Sequence, residues 1–192
     1  MDYFTPHTFT IPPLTGISQK TIDEHMKLYL GYVKFANYIT QELKTETDTY
    51  KKGELFRRFA FEFNGMKNHE IYFSSLEGGP HPLTPESTLL SLLEKEWGSF
   101  DAWYTEFSLL ALTRGIGWAM LYYDAQTGHL VHQWVDEQHL GHLSGLSPIL
   151  ALDMWEHSYV SDYQPSGKKQ YIEDFFKNIN WNVIEDRFKK LS

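Results

Sequence analysis

The sequence predicts an α+β fold in which an N-terminal helical hairpin precedes a small α+β domain. Two long patterns of apolar residues with a period of about 3.6 occupy most of residues 18 to 75, which is typical of amphipathic helices. A segment dense in glycine and proline follows at residues 76 to 85. Beyond it, helical and strand patterns alternate to the end of the chain, as expected for an α+β domain.

The two long helices are predicted from their start signals and apolar faces. Residues 1 to 17 should be extended, because the prolines within them disfavour helix. Ser18 is the predicted N-cap of the first helix, and residues 40 to 53 are predicted to be a loosely packed helix end and turn. The second helix is predicted over residues 54 to 75. Gly65 inside it indicates the close approach of a neighbouring helix or a cavity, because a mid-helix glycine costs about 1 kcal/mol relative to alanine.

One face of the first helix groups a histidine with two tyrosines. His25, Tyr29 and Tyr32 stand at i, i+4 and i+7 and therefore share a face. A lone histidine on such a face is more often a core residue bonded to a tyrosine hydroxyl than a metal ligand. The residues alone therefore favour a structural role for His25.

The glycine- and proline-rich segment is the predicted boundary between a domain of residues 1–83 and a domain of residues 84–192. The second domain is predicted to begin with two helices and to continue with a β-hairpin and a third strand. Two further helices close the chain. The predicted ranges are 86–96 and 99–112 for the first two helices, 115–123, 129–135 and 147–155 for the strands, and 169–178 and 181–191 for the last two helices.

The end of the third strand is the best candidate for chemistry. The apolar run of residues 148 to 152 leads into Asp153, and a charge there is costly to bury without a partner or a metal. His157 follows four residues later, and together the two side chains offer oxygen and nitrogen donors that suit iron, manganese or zinc. A buried aspartate bonded to a nearby histidine for purely structural reasons explains the pair about equally well.

Composition limits the function further. The chain has 192 residues with 17 Lys+Arg against 25 Asp+Glu, and its net charge of −8 argues against nucleic acid as a partner. No apolar run approaches the roughly 18 residues of a membrane span, and the N-terminus lacks signal-peptide features, so we expect a cytoplasmic protein without a membrane partner. Because cysteine is absent, a metal would have to be held by His, Asp, Glu or water.

Several motifs, in order along nearly the whole chain, resemble the iron/manganese superoxide dismutases. They are Ile11-Pro12-Pro13-Leu14, Asn68-His69, Gly115-Ile116-Gly117-Trp118, Asp153-Met154-Trp155-Glu156-His157-Ser158-Tyr159, Tyr171-Ile172 and Asn180-Trp181. The resemblance implies a helical hairpin and a three-stranded antiparallel sheet with helices, with a metal between them. It also implies the conversion of superoxide to dioxygen and hydrogen peroxide at one iron or manganese ion per subunit, by alternating metal reduction and reoxidation.

The resemblance implies a set of metal ligands in this sequence. They are His25, His69, Asp153 and His157. The resemblance therefore replaces the structural role of His25 with that of a metal ligand. The family's first helix usually carries its gateway tyrosine at i+8 with a π-bulge, so Tyr32 at i+7 implies a helix without that bulge. Sliding the match by one residue would place Glu24 at the ligand position, but helix geometry and the preference for imidazole favour His25.

The resemblance is less direct for the outer-sphere glutamine that bonds the metal-bound solvent. Gly65 stands where the iron-type pattern has this glutamine. In the manganese-type pattern it comes from the loop before the third strand, where His142 is chosen because it lies eleven residues before Asp153. The positions that stay open in that loop are Glu137, Gln138, His139 and His142.

Other roles are implied by the same resemblance. Tyr29, Trp118 and Trp155 would surround the ligands, Tyr72 and Phe73 would wall the site, and Lys168 would lie beside the substrate funnel. Glu156 and Tyr159 would lie at the subunit interface of a homodimer or tetramer. An alternative is a catalytically silent, superoxide dismutase-like structural or interaction protein that retains metal. The sequence does not separate iron from manganese.

Overall fold

Two long antiparallel helices form the N-terminal hairpin. In this computed structural model, which describes residues 3 to 192, α1 spans Gln19–Thr45 and α2 spans Thr49–Ser74. Ser18 caps α1 as predicted, because its hydroxyl accepts a hydrogen bond from the Thr21 N–H. Asp48 caps α2 in the same way. Residues 40 to 53 contain the predicted helix end and turn, but only three residues separate the two helices, so α2 begins at Thr49 rather than at the predicted residue 54.

The segment before α1 contains neither helix nor strand over residues 3 to 18, in agreement with the extended chain that was predicted. It is held against α1 by side chains of that helix. The Asn37 carboxamide oxygen accepts from the N–H groups of Tyr3 and Phe4 at 2.8 and 2.9 Å. Residues 1 and 2 of the predicted extended stretch lie outside the described residues.

The second half of the chain wraps helices around a small sheet. Its strand order is β2-β1-β3, and β1 pairs antiparallel with both neighbours, which confirms the three-stranded antiparallel sheet and the α+β class. Short 3₁₀ turns lie at Glu156–Ser158 and Pro165–Gly167. The helices are α3 Thr88–Trp97, α4 Phe100–Ala111, α5 Lys168–Asn178 and α6 Trp181–Lys189, and the strands are β1 Gly117–Asp124, β2 His129–Asp136 and β3 Ser147–Asp153.

The core lies between the hairpin and the sheet. The central strand β1 is buried along nearly its whole length, and Trp118 near its start stands opposite Asp153 on β3. Aromatic side chains such as Trp103, Phe107 and Tyr72 fill the space between helices and sheet without exposed surface. The end of β3 therefore opens into a buried space facing α1 and α2.

The division of the chain near residue 83 stays a prediction. None of the helices among residues 3 to 192 combines the length and the apolar character needed to cross a bilayer.

Candidate metal centre

Four side chains from separate parts of the chain meet where the hairpin faces the end of β3. His25 comes from α1, His69 from α2, Asp153 from the last position of β3, and His157 from the 3₁₀ turn that follows. One candidate ligand atom of each lies within 4.8 Å of the others. The first three side chains are fully buried, and that of His157 is 23% exposed. The structure thus brings together all four residues that the resemblance implied.

The Asp153 carboxylate is the centre of this cluster. Its Oδ2 atom lies 3.0 Å from His25 Nε2, 3.2 Å from His157 Nε2 and 3.7 Å from His69 Nε2. These three separations are similar to those between donor atoms that each lie about 2.0–2.2 Å from one shared ion. The other oxygen, Oδ1, accepts from the Trp155 N–H at 2.8 Å, which keeps Oδ2 directed at the imidazoles.

The His69 ring is oriented for metal binding. Its Nδ1 lies 2.6 Å from the Gly65 carbonyl oxygen, which can only accept, so Nδ1 carries the hydrogen and Nε2 keeps its lone pair. Nε2 is buried and has no hydrogen-bond partner among residues 3 to 192. Buried polar atoms are rarely left in this state, and a cation would satisfy this one. Three imidazoles and a carboxylate fit iron, manganese or zinc.

The electrostatics of the cluster also favour a cation. Burial lowers the pKa of His25 and lowers that of His69 to about 3, so both imidazoles stay neutral at physiological pH. Burial by itself raises the pKa of Asp153, but His157 and the hydrogen bonds from His157 and His25 lower it by more. The carboxylate therefore remains ionised, and a buried negative charge needs a positive partner.

Aromatic rings enclose the four side chains. The rings of Tyr72 and Phe73 each lie 4.9 Å from His25, and the Trp118 ring lies 5.0 Å from His69. Trp155 stacks on His157 at 5.7 Å. This wall keeps the surroundings apolar, which strengthens electrostatic interactions inside it.

A glutamine from the loop before β3 connects this wall to Tyr32. The Gln138 side chain is fully buried, and its Nε2 donates to Tyr32 Oη at 3.0 Å. Its Oε1 accepts from Trp118 Nε1 at 3.0 Å. The Tyr32 ring itself lies 5.0 Å from the His69 ring. Gln138 and Tyr32 therefore form the polar edge of the cluster.

Gly65 explains how Tyr32 reaches this place. A Cβ atom on Gly65 would lie 2.5 Å from Tyr32 Cδ1, so only glycine leaves room for the ring. The close approach predicted from the glycine in α2 is thus confirmed. Helix α1 is an uninterrupted α-helix, without the π-bulge that an i+8 tyrosine would need. Glu24, the alternative ligand, is exposed and pairs with Lys27 at 2.7 Å.

Comparison with known proteins gives this cluster its context. A profile described as "Iron/manganese superoxide dismutases, C-terminal domain" matches residues 85–187, more than half of the chain. The chain belongs to the iron/manganese superoxide dismutase family. It is 38% identical over 183 residues to "Superoxide dismutase [Fe]" of Cupriavidus metallidurans, which covers 91% of this chain and 90% of the relative.

Relatives with either metal in their names are similar to this chain. "Superoxide dismutase [Fe]" of Aquifex aeolicus is 34% identical over 187 residues, covering 92% of this chain and 86% of that protein. "Superoxide dismutase [Mn] 2" of Haloferax volcanii is 31% identical over 180 residues, covering 91% and 88%. The superoxide dismutase family thus accounts for a metal cluster of this composition without separating the two metals.

The geometry does not support His142 as the outer-sphere residue of this superoxide dismutase family member. Its Nδ1 lies 2.6 Å from Tyr122 Oη and its Nε2 lies 3.2 Å from the Gln138 carbonyl oxygen, so both ring nitrogens are already bonded. Gln138 instead presents its carboxamide to Tyr32 and Trp118. No signal in the sequence identifies it, because a neutral imidazole can also donate to a phenol and accept from an indole N–H, so the chemistry alone does not separate Gln138 from His139 and His142.

The remaining predicted residues lie at different distances from the cluster. Tyr29 is one layer further out, with its ring against Phe73 and its hydroxyl accepting from the His7 N–H at 2.8 Å. Glu156 is exposed beside His157. Tyr159 is buried, and its hydroxyl has no partner among residues 3 to 192. The Lys168 ammonium lies 5.9 Å above the Tyr159 ring. The interface roles of Glu156 and Tyr159 stay predictions.

Proposed function

We propose that this protein is a superoxide dismutase that converts superoxide to dioxygen and hydrogen peroxide with one iron or manganese ion per subunit. The observation that carries the proposal is the buried cluster of three imidazoles and one carboxylate in a chain of this family. His25, His69, Asp153 and His157 would hold the ion. When bound, the ion supplies the one-electron oxidation and reduction that dismutation requires.

The protein's part begins with fixing the donors. The Gly65 carbonyl holds the His69 tautomer, and the Trp155 N–H holds the Asp153 carboxylate. Such partners orient ligands and tune the ion that they bind. Neutral imidazoles contribute no charge, so Asp153 alone offsets part of the charge of the cation. The electrostatic balance of the site therefore depends on one carboxylate.

Tyr32 and Gln138 would manage protons and orientation beside the ion. Burial raises the pKa of Tyr32, with further contributions from the Asp153 and Glu62 charges, so the phenol stays protonated. While it accepts from Gln138, its own O–H remains able to donate to a bound anion or water. Formation of hydrogen peroxide consumes two protons per peroxide. We assign Tyr32 the gateway role and Gln138, in place of His142, the outer-sphere role.

We further propose a homodimer in the cytoplasm, with neither nucleic acid nor membrane as a partner. The partly exposed His157, the exposed Glu156 and the unpaired hydroxyl of Tyr159 lie close together in sequence and mark one edge of the site. A second subunit at this edge would cover His157 and supply partners for these groups. Lys168 nearby would offer an anionic substrate a local positive charge in an acidic protein.

The direct test is superoxide consumption by protein loaded separately with iron and with manganese, with the metal content measured. We expect activity with at least one metal, and its loss together with the metal in His69→Ala. His129→Ala is the matched control, because His129 is an exposed histidine on the β1–β2 hairpin. Full metal occupancy without activity in both preparations would overturn the proposal and favour the silent, metal-retaining alternative.

A further inference from the structure

A second concave site lies on the surface of the molecule near Gln138. It is a cleft of about 530 Å³ between α2, α6, the end of β1, the start of β3 and the loop before β3. Its polar lining includes Ser74, Tyr122, His142 and Arg187, none of which has a place in the proposed dismutase reaction. Its volume falls in the range of roughly 300–1,000 Å³ that is usual for small-molecule sites.

Arg187 is the unusual feature of the cleft. Its guanidinium donates to Ser74 Oγ at 2.6 Å and to the Ile149 carbonyl oxygen, both of which are neutral acceptors. No carboxylate lies within 4.0 Å of it among residues 3 to 192. Burial lowers the pKa of Arg187 to about 10, so the group still carries its charge at neutral pH. Arg187 is partly buried, a cation in that position without a counter-charge is costly, and an anion in the cleft would offset that cost.

The other charges of the cleft define which anion fits. Lys67 also lines the cleft, but Glu70 neutralises it at 2.8 Å. Among the Lys, Arg, Asp and Glu side chains that line the cleft within residues 3 to 192, Arg187 is therefore the one without a charged partner. Leu143, Leu146 and Pro148 give the facing wall an apolar surface. A ligand with one negative charge and an apolar body matches both features better than a strongly hydrated dianion such as phosphate.

We propose that this cleft binds a small organic monocarboxylate, with its carboxylate paired to Arg187 and its apolar body against Leu143, Leu146 and Pro148. The fork of guanidinium N–H groups is suited to a carboxylate, and such charge-assisted pairs are the strong hydrogen bonds of proteins. The inference concerns residues outside the metal cluster and does not depend on which metal is bound there.

The cleft is also connected to the metal centre. Asn68 and His142 both line it, and both contact the Gln138 carbonyl oxygen, at 3.0 and 3.2 Å. The Gln138 side chain in turn holds Tyr32. A ligand in the cleft would therefore share its lining with two groups that contact the backbone of Gln138.

Calorimetric titration of the metal-loaded protein with benzoate tests the proposal. We expect benzoate to bind, and its neutral isostere benzamide to bind at least about tenfold more weakly, because it lacks the charge that pairs with Arg187. Inorganic phosphate should bind more weakly than benzoate. Absence of benzoate binding, equal binding of benzamide, or tighter binding of phosphate would each overturn the proposal.

Variants identify where the carboxylate binds. Arg187→Gln should lower the affinity for benzoate by about tenfold or more. Leu146→Trp should abolish benzoate binding, because the larger side chain fills the cleft while Arg187 stays in place. Leu109→Trp, at an exposed leucine on α4 outside the cleft, is the matched control and should bind like the parent. Thermal unfolding verifies that each variant is folded. If benzoate still binds to Leu146→Trp and is displaced by the metal ligand azide, benzoate binds at the metal, and the proposal that it binds in the cleft is overturned.

Discussion

The two regions that meet at Gln138 share structural elements but carry uncompensated charges of opposite sign. In the metal centre, Asp153 is a carboxylate among neutral imidazoles, whereas in the cleft Arg187 is a cation among neutral acceptors. Neighbouring positions on α2 serve the two regions, His69 the first and Asn68 the second. The sign of an uncompensated charge is thus the feature that selects the class of ligand, a cation for the metal centre and, in our proposal, an anion for the cleft.

Removing the charge on each side should give the largest contrast. Asp153→Asn keeps the shape but loses the carboxylate charge, and we expect its metal affinity to fall by more than the roughly 10–100-fold that outer-shell changes cost. Arg187→Gln should keep its metal, because Arg187 belongs to the cleft. Metal content after dialysis measures both.

The control for Asp153→Asn is Asp101→Asn, which changes an exposed aspartate in the first turn of α4. Equal loss of metal from Arg187→Gln and Asp153→Asn would show that the two regions behave as one site.

The next largest contrast is between substitutions of Gln138 and His142, two residues of the loop before β3. Gln138→Leu removes the contacts to Tyr32 and Trp118, and we expect kcat/KM for superoxide to fall by about 10–100-fold. His142→Leu leaves those contacts intact and should cost much less. Steady-state kinetics at matched metal content decides between them, and a fall in His142→Leu as large as in Gln138→Leu would restore His142 to the outer-sphere role.

Acid should destabilise the metal side through its histidines. The unfolded chain binds protons at His25 and His69 near the ordinary pKa of 6.5, whereas folded His69 binds one only near pH 3. Below pH 6.5 the unfolded state therefore holds more protons, and stability falls with falling pH. The slope is at most about 1.4 kcal/mol per pH unit for each histidine.

Urea unfolding of the metal-free protein between about pH 4.5 and 7.5 measures this slope. In His69→Gln, which lacks one of the two groups, the slope should be smaller by about one proton. An unchanged slope in that variant would mean that His69 is protonated in the folded protein.

The smallest expected effect compares two helix glycines. Gly31→Ala in α1 meets no atom within 4 Å and should raise stability by up to about 1 kcal/mol through helix propensity. Gly65→Ala should instead lower it by about 1–3 kcal/mol, because the new methyl group meets the Tyr32 ring. Thermal unfolding measures both, and stabilisation by Gly65→Ala would show that Tyr32 moves aside freely.

The fold was largely predictable because periodicity and turn residues are local signals. The first five residues of α2, from Thr49, were missed because the segment around them is polar and shows little apolar period, although Asp48 was there as a cap. His25 and Asp153 lie 128 residues apart, and no local pattern relates them. Only the resemblance to a family indicated that these residues act together.

Gln138 and Arg187 could not be predicted for a different reason. Four polar candidates stood in one irregular loop, and packing against Tyr32 and Trp118, rather than any spacing, distinguishes Gln138 from the others. The importance of Arg187 lies in the absence of a carboxylate near it among residues 3 to 192, which depends on every neighbouring element at once. Such properties exist only in the assembled structure.

The fit of Tyr32 over Gly65 has an evolutionary consequence. Because a Cβ atom at position 65 would lie 2.5 Å from the ring, a glutamine there requires the Tyr32 ring to leave its present place. Accepting glycine at position 65 before the ring takes this place avoids the clash, whereas the reverse order passes through an intermediate destabilised by about 1–3 kcal/mol. The pair is therefore an epistatic constraint, and it favours one order of substitutions for relocating the outer-sphere carboxamide from α2 to the loop.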